Sequence, residues 1–531
     1  MKNIMVIFMV VLVLVLCGNV QADTIYVGPG ESIQAAINAA EYGDTVQVAA
    51  GTYYENISLK DGVAVIGTGP SSTIINGGHS GSVVVAIDCG PDTVLEGFTI
   101  TNGNAEHGCG MYNENSSPTV TDCAFKDNLS EEGILYIGGG MYNNYSSPTI
   151  TNCTFTGNKL LYGRGAGMYN YYSNPTVTDC TFEGNTASGA AGGLDNNYSS
   201  PIVTNCTFTG NTALDNSGGG MCSSYYSSPT VTNCTFSGNS AGWSGGGMIN
   251  FSSSATAIVT NCTFSGNSAR YGGGMYNNKS NSTIIGCTFS GNSASVGGGG
   301  MGNQWSSPIV TNCTFSDNSA EWGGDGMYNY GDINVYSEPT ITNCIMWGNT
   351  AGEICDEIYN NVFSIPIISY SDIAGCGGGW SGTGIWGIDA GGNMDADPLF
   401  VDPGYWDPND TPTDPNNDFW VDGDYHLLMS SPCIDMGDPS FFAEEGDVDF
   451  DGEPRVMGDR VDMGADEVGP KQADFTRDGV ININDFAVLS NSWNTGPADE
   501  NWYVLSDLWK DNEIAILDLV AFVEDWLWEA D

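Results

Sequence analysis

Positive charge is what this sequence has least of: 12 lysines and arginines stand against 63 aspartates and glutamates, a formal net charge of −51 at pH 7. So acidic a chain offers no cationic patch to nucleic acid or to an anionic lipid surface, and neither is expected as a partner. Long apolar runs are also missing beyond the first residues, so no later segment is expected to span a bilayer. The single such run, Ile4 to Cys17, follows Lys2 and precedes Val20-Gln21-Ala22, the layout of a Sec-type secretory signal peptide cleaved after Ala22. Cys17-Gly18 resembles a lipidation site, but bulky Leu16 stands where a small residue is wanted. Residues 1–22 are therefore expected to be removed and the protein to be secreted, extracellular or at the cell surface. Much of the acidity lies after Asp389, which points to divalent cations in that part of the chain.

Helical periodicity is missing from the long middle of the chain, and a repeat stands in its place. The phrase Ser-Ser-Pro-Thr-Ile-Thr-Asn-Cys-Thr-Phe-Thr-Gly-Asn at 146–158 returns with small changes as far as Asn349. Its cysteines fall at Cys123, Cys153, Cys180, Cys206, Cys234, Cys262, Cys287, Cys313 and Cys344, spaced by 25 to 31 residues. A phenylalanine follows each by two, from Phe125 to Phe315, and Met346 takes the ninth place. A second phrase, Gly-Gly-Gly-Met-Tyr-Asn, sets Met111, Met141, Met168, Leu194, Met221, Met248, Met275, Met301 and Met327 in register.

One repeat is too short and glycine-rich to fold alone, so neighbours must stack, each making a coil of about three strands paired in parallel at about 4.8 Å. In Ile150-Thr151-Asn152-Cys153-Thr154-Phe155, Ile150, Cys153 and Phe155 point one way, the threonines point out, and Asn152 makes a left-handed bend, which Asn tolerates. The interior then holds a Cys row, a Phe row and a Met row. Asn113, Asn143, Asn170, Asn196, Asn250, Asn277, Asn303 and Asn329 are expected to stack their amides in another turn. Stacked rungs hold Cβ atoms slightly too far apart for a relaxed disulfide, so these nine cysteines read as a reduced internal ladder, each a small hydrophobe. Cys355, Cys376 and Cys433 are freer to bridge.

The region 24–103 is less regular. Ser32 N-caps a short helix from Ile33 to Ala40, followed by strands such as Thr45-Val46-Gln47-Val48, and the helix would cover the otherwise unpaired edge of the first rung. This helix with Gly43-Asp44-Thr45-Val46 and Gly51-Thr52-Tyr53-Tyr54-Glu55-Asn56-Ile57 resembles the opening of pectin-lyase-like right-handed parallel β-helix proteins. The pairing of Gly-Gly-Gly-Met with Phe-x-x-Asn (Phe155 to Asn158, Phe236 to Asn239) is similar to the repeats of polymorphic outer-membrane proteins, although the translocating barrel of that family is not expected here. The resemblance implies an all-β right-handed solenoid over 23–392, most regular over 98–349. It leaves activity open, since that superfamily includes lyases, hydrolases, epimerases and adhesins.

From Asn393 the pattern becomes acidic, and Ser431-Pro-Cys-Ile-Asp435-Met-Gly437-Asp438 resembles the closing segment of secreted bacterial β-helix proteins, so 393–469 is expected to cap the rod. Within it, Asp447-Val-Asp449-Phe-Asp451-Gly452 has calcium-loop spacing, yet no carboxylate stands at the twelfth position, and it reads as an acidic turn. The tail 470–531 carries the stronger signal. Asp474, Thr476, Asp478, Asn482 and Asp485 place oxygen donors at loop positions 1, 3, 5, 9 and 12, Gly479 permits the sharp turn, and Val480 contributes its carbonyl, a donor set for Ca²⁺. Asp507, Asp511 and Asp518 repeat the plan with Trp509, Asn512 and Ala515 at degraded positions. Two such half-hands resemble a type I dockerin, a small α-helical EF-hand module, which implies Ca²⁺ as cofactor and a cohesin-like docking receptor. Ile483-Asn484 and Ile516-Leu517 stand where such pairing surfaces often carry hydroxyl residues.

Catalysis has little support in the sequence. Lyases of this fold use a basic residue, often beside carboxylate-bound calcium, but within 24–400 the arginines are Arg164 and Arg270, both placed in turns. His79 and His107 are isolated. Glycoside hydrolases need two carboxylates across a cleft, and nothing groups Asp195, Asp325 and Asp332. Binding has more: Tyr145, Tyr172, Tyr198, Tyr225 and later Trp305 sit four residues after the core Met or Leu, and Tyr112, Tyr142, Tyr169, Tyr276 and Tyr328 follow the Met directly, where alternation points them outward. Such rows could stack on sugars or merely staple coils. The expected function is a non-catalytic binder of glycan or cell-surface components tethered by its calcium module. The alternative is a polysaccharide lyase or glycoside hydrolase with a dockerin-like appendage.

Overall fold

The computed structural model describes residues 22–468, apart from 131–135, 252–255, 350–356, 381–382, 408–418, 429, 445 and 459, and beyond these only Phe486. Residues 1–21 of the expected signal peptide, Cys355 and the residues expected to bind calcium, Asp474, Thr476, Asp478, Val480, Asn482, Asp485, Asp507, Asp511 and Asp518, lie outside the described residues. Among the described residues no helix is long and apolar enough to cross a membrane.

Three long sheets of 16, 12 and 13 strands run along the chain, parallel except for one antiparallel pair that ends the first, with a fourth of eight strands. We name them by their inward residues. A regular coil starts in the Met sheet (Met168–Tyr171), turns into the Val sheet (Thr176–Thr178), bends into the Phe sheet (Thr181–Glu183) and ends in a short Ala strip (Thr186–Ala187). Each coil therefore has four strands, not three. The two-residue Ala strip is too short to show in an alternation pattern. Pairing is in register, so Met141 meets Met168, Ile150 meets Val177 and Phe155 meets Phe182.

The Val-to-Phe bend is left-handed, with φ of 51° at Asn152, 54° at Asp179 and 53° at Asn205, where a short polar side chain tolerates the conformation. It sends the next cysteine inward. Cys123, Cys153, Cys180, Cys206, Cys234, Cys262, Cys287, Cys313 and Cys344 are buried free thiols, and so is Cys433, while Cys376 is a half-buried free thiol. The phenylalanines from Phe125 to Phe315 stack face to face with centroids 4.6–4.8 Å apart.

Two buried amide ladders run through this apolar interior. Asn113, Asn143, Asn170 and Asn196 bond amide to amide at 2.7–2.9 Å, Ser223 breaks the row, and Asn250 through Asn329 resume it. This ladder lies inside the Met sheet, not in a turn as its sequence position suggested, because alternation after an inward Met makes the second following residue inward too. The other ladder, Asn128 to Asn349, closes the Phe-sheet turn. In it the Asn211 Nδ2 donates to Phe182 O at 2.8 Å and Asn239 Oδ1 at 3.0 Å, while its Oδ1 accepts from the backbone and side-chain amides of Asn185 at 3.1 and 2.9 Å. Every hydrogen-bonding capacity of that side chain is used.

After the Ala strip the chain folds over the outer side of the Met sheet before re-entering it. Gly165, at φ 66°, makes that approach: a Cβ there would lie 2.6 Å from Met168 O and 2.9 Å from the Tyr169 Cβ. A second small core results, in which Ala190, Ala191, Cys222, Ile249 and Tyr276 are buried. This corrects the expectation for the tyrosines after the methionines. They do leave the main core, but Tyr142, Tyr169 and Tyr276 are only 5–6% exposed, beneath the returning loop.

The ends are covered differently. An α-helix, Ile33–Ala39, N-capped by the Ser32 side chain, packs on the first rungs. At the other end Trp386 joins the main core, with Cys376 and Trp380 against it. The described residues of 400–468 lie along the outer face of the Phe sheet as a flap. The Trp420 ring lies over Gly266 and Gly291, Asn261 Nδ2 donates to Asp449 O at 2.8 Å, and Ala465 N donates to Thr314 Oγ1 at 3.0 Å. Leu427, Cys433 and Met463 bury against Ile345.

Replacing Asn211 with Ala removes four buried hydrogen bonds and leaves the Asn185 backbone N–H and one N–H of its side-chain amide without a partner. At about 1–3 kcal/mol for each buried group left unpaired, Asn211→Ala should cost at least about 2 kcal/mol in urea unfolding. Asn205→Gly, at the exposed bend, should change stability by less than about 1 kcal/mol.

Candidate functional site

The predicted tyrosine row exists. Tyr145, Tyr172, Tyr198 and Tyr225 occupy the corner between the Met and Val sheets with φ of 46–51°. Their rings are stacked in parallel at 5.2, 4.6 and 5.5 Å. Both faces of Tyr172 and Tyr198 are thus occupied by neighbouring rings, so the row is a continuous ridge that presents ring edges, not a set of separate platforms. Tyr145, Tyr172 and Tyr225 are 57, 42 and 49% exposed. Trp305 belongs to the same corner but not to the stack; Lys279 Nζ lies 5.0 Å from its ring centroid.

A second aromatic rib escaped the sequence reading. Tyr162, Trp243, Tyr271 and Trp322 each follow the inward residue of the Ala strip by two, and Trp243 and Trp322 are 51 and 73% exposed. Arg270 stacks on Trp243 with its guanidinium carbon 4.6 Å from the ring centroid. The signal was one aromatic every few coils at a fixed offset from Ser-Ala, visible only once that strip is recognised as a strand.

The ionisable groups weighed for catalysis do not converge. Arg164 stands in a strand, not a turn, and pairs with the fully buried Asp195 at 2.8 Å. That pairing outweighs burial and holds the guanidinium in its charged form. Asp325 is buried and accepts from Ala320 N at 3.0 Å. Asp332 accepts from the backbone amides of Asn334 and Val335, which lower its pKa. His79 and His107 are exposed and separate.

The densest ionisable cluster is in the flap. Asp449, Asp462, Asp466 and Glu467 are each at most 4% exposed, and Arg455 is 3% exposed. Their oxygens are acceptors for backbone: Asp449 takes Gly452 N and Glu453 N at 3.0 and 2.8 Å, Asp462 takes Asp435 N and Val468 N at 2.6 and 2.7 Å, Glu467 takes Met457 N and Asp462 N at 3.1 and 3.0 Å. Arg455 donates to the carbonyls of Ala465 and Gly464. Burial raises Asp462 to about 7 and Glu467 to about 8. His426, Asp451 and Asp466 come close enough together to suggest a metal position. The imidazole does not fit it: Nδ1 bonds Asp424 and Nε2 bonds Asp451 at 3.0 Å, so the ring donates at both nitrogens. Burial disfavours that charged ring, but the two carboxylates outweigh it and raise His426 to about 9. The cluster knits the flap together.

The chain belongs to the right-handed β-helix proteins: the model of the right handed beta helix region matches residues 61–236 and 211–356, together more than half of the chain. No curated protein matches it. Among solved structures it is similar to the A-module of the Azotobacter vinelandii mannuronan C-5 epimerase AlgE6, at 16% identity over 64% of this chain and 94% of that one, TM-score 0.37. It is also similar to pectate lyase Pel9A, at 14% identity over 85% and 97%, TM-score 0.38. A mannuronic acid specific polysaccharide family 6 lyase from human gut microbiota gives 11% identity over 71% and 91%, TM-score 0.33. These likenesses carry no ligand over to this chain.

Asp462 and Glu467 hold protons in the folded flap that they release when unfolded, so between about pH 4 and 8 the native state binds more protons and stability falls as pH rises. His426, raised to about 9, adds stability below its unfolded value that is likewise lost on going upward. Hydrogen exchange over 424–468 should therefore quicken between pH 5 and 8 after correction for intrinsic rates, while the coils around Phe208 stay unchanged.

Proposed function

We propose that the protein is a secreted, non-catalytic β-helix that binds glycan or cell-surface components and is tethered by the calcium-dependent, dockerin-like module at 470–531. The observation that carries this reading is the exposure of aromatic side chains in two ribs along the rod, while the arginines of the regular coils are engaged elsewhere, Arg164 by Asp195 and Arg270 by Trp243. The tyrosine ridge offers ring edges and phenol hydroxyls to sugar hydroxyls, exposed Trp322 adds an open ring to the second rib, and a rigid solenoid presents both without loss of backbone entropy. The tether rests on the donor spacing from Asp474 to Asp485, with Asp507, Asp511 and Asp518 as a weaker second loop. The competing reading, a polysaccharide-degrading enzyme of this fold, requires a base and carboxylates in one open groove.

Incubating the full mature chain with a panel of polysaccharides separates the two. Binding without release of unsaturated or reducing sugar is expected, weakened about tenfold by Tyr172→Ala with Tyr198→Ala. Turnover would instead establish the enzyme. Calorimetric Ca²⁺ titration of the same chain should show a site that Asp474→Ala with Asp478→Ala removes; a titration without heat, or one unchanged in the variant, would end the tethering account.

A further inference from the structure

One surface of the rod is unlike the rest of this acidic molecule. From Thr119 to Ser369, ten consecutive strands of the Val sheet present two outward positions each, and these twenty positions hold only threonine, isoleucine and serine: 14 Thr, five Ile and one Ser. No charge appears among them, in a chain of net charge −51. The Phe sheet of the same coils carries Lys126 and Glu183 at its outward positions. All twenty side chains are exposed or half-buried, whereas Ser265, Ser290 and Ser316 on the Phe sheet are buried beneath the flap.

The face is also regular in two directions. Strands are about 4.8 Å apart along the rod, and alternate residues of a strand about 6.6 Å apart across it. Thr178 is in register with Thr204, Thr151 with Thr178, and Ile202 with Thr230. β-Branched side chains have few rotamers, so their hydroxyls and methyls are fixed before anything binds. Along one border a further row of hydroxyls is anchored rung to rung: Ser117 Oγ accepts from Ser147 N at 3.0 Å and Ser200 Oγ from Ser228 N at 2.9 Å, which leaves each hydroxyl proton free to donate outward. Beyond that border stands the tyrosine ridge, Tyr145 lying four residues before Thr149.

We infer that this Thr/Ile face is the docking strip for a neutral, extended polysaccharide lying along the rod axis, a statement that rests on the glycan-binding reading above and specifies its ligand. The rung spacing is close to the length of one pyranose in an extended β-linked chain, so successive sugars meet the same pair of side chains, with hydroxyls on their hydroxyls and methyls on their C–H faces. Charge selects the class. A polyuronate must approach a polyanion, whereas a neutral glycan meets a strip with no ion to desolvate.

Affinity electrophoresis of the full chain tests this, in native gels containing hydroxyethyl cellulose or sodium alginate, with EDTA in both. Retardation by hydroxyethyl cellulose alone is expected, reduced at least tenfold by Thr178→Glu with Thr204→Glu. Thr156→Glu, on the Phe sheet where Glu183 already stands one rung away, should leave it unchanged. Circular dichroism melting of each variant separates loss of binding from loss of fold. Retardation by alginate alone would overturn the neutral strip while the glycan-binding reading stands, and so would glucan binding indifferent to the Thr178 and Thr204 changes in a folded variant. No retardation in either gel would overturn the strip, and the glycan-binding reading itself would fail only if the wider panel also shows no binding. Incorporation of the protein into growing ice, lost in the Thr178 and Thr204 variant, would overturn the proposal by assigning the regular face to ordered water.

Discussion

The structure depends on one constraint: a polar side chain inside the rod needs a hydrogen-bonding partner, and here a neighbouring coil supplies it in register, an asparagine at most rungs and Ser223 at one. An asparagine amide has two donors and two acceptor positions, and burying it unpaired costs several kcal/mol. Asn185, Asn211 and Asn239 meet this condition by serving one another and the phenylalanine carbonyls. The condition propagates. A ladder fixes the register of its turn, which fixes the phenylalanine stack beside it, and the close rungs demand glycine just before the Met sheet, where a Cβ on Gly167 would lie 2.5 Å from Gly193 O and 2.9 Å from the Phe182 ring.

The same constraint separates architecture from function. Inward positions are spent on stacking, so their repetition says nothing of a ligand. What the protein does must be written on outward positions, which stacking leaves free to vary. There the coils differ: rings at the two ribs, an uncharged lattice on the Val face, and acids gathered in the flap. Segregating charge away from one long face, in so acidic a chain, gives the rod a chemically distinct side without disturbing any coil.

The period, the inward cysteines and phenylalanines, the left-handed Asn152 and the capped helix at Ile33 were legible because each depends on residues close in sequence or on the repeat itself. Other features depend on distant segments. The burial of Tyr142, Tyr169 and Tyr276 follows from a loop whose path no alternation rule predicts. The flap places Trp420 on Gly266 and Gly291, more than a hundred residues away, and the only local trace is the change from Thr156 and Thr209 to Ser265 and Ser290 at the positions it covers. His426 between Asp424 and Asp451 was invisible for the same reason. Of the binding residues, the tyrosine row was legible as a row but not as a closed stack. The second rib was missed because its carrier strand has two residues per coil.

If stacked, interchangeable coils hold the rod together, one whole coil should be removable. Deleting residues 212–239 joins Asn211 to Ser240, positions in register through the pairing of Thr212 with Ser240. Circular dichroism and thermal melting of that shortened chain test the claim most directly. A β-rich spectrum with one cooperative transition, slightly lowered, is the predicted result, as expected for nearest-neighbour stabilisation. A chain that aggregates or melts without cooperativity, although every remaining rung keeps its ladder residues, would contradict it.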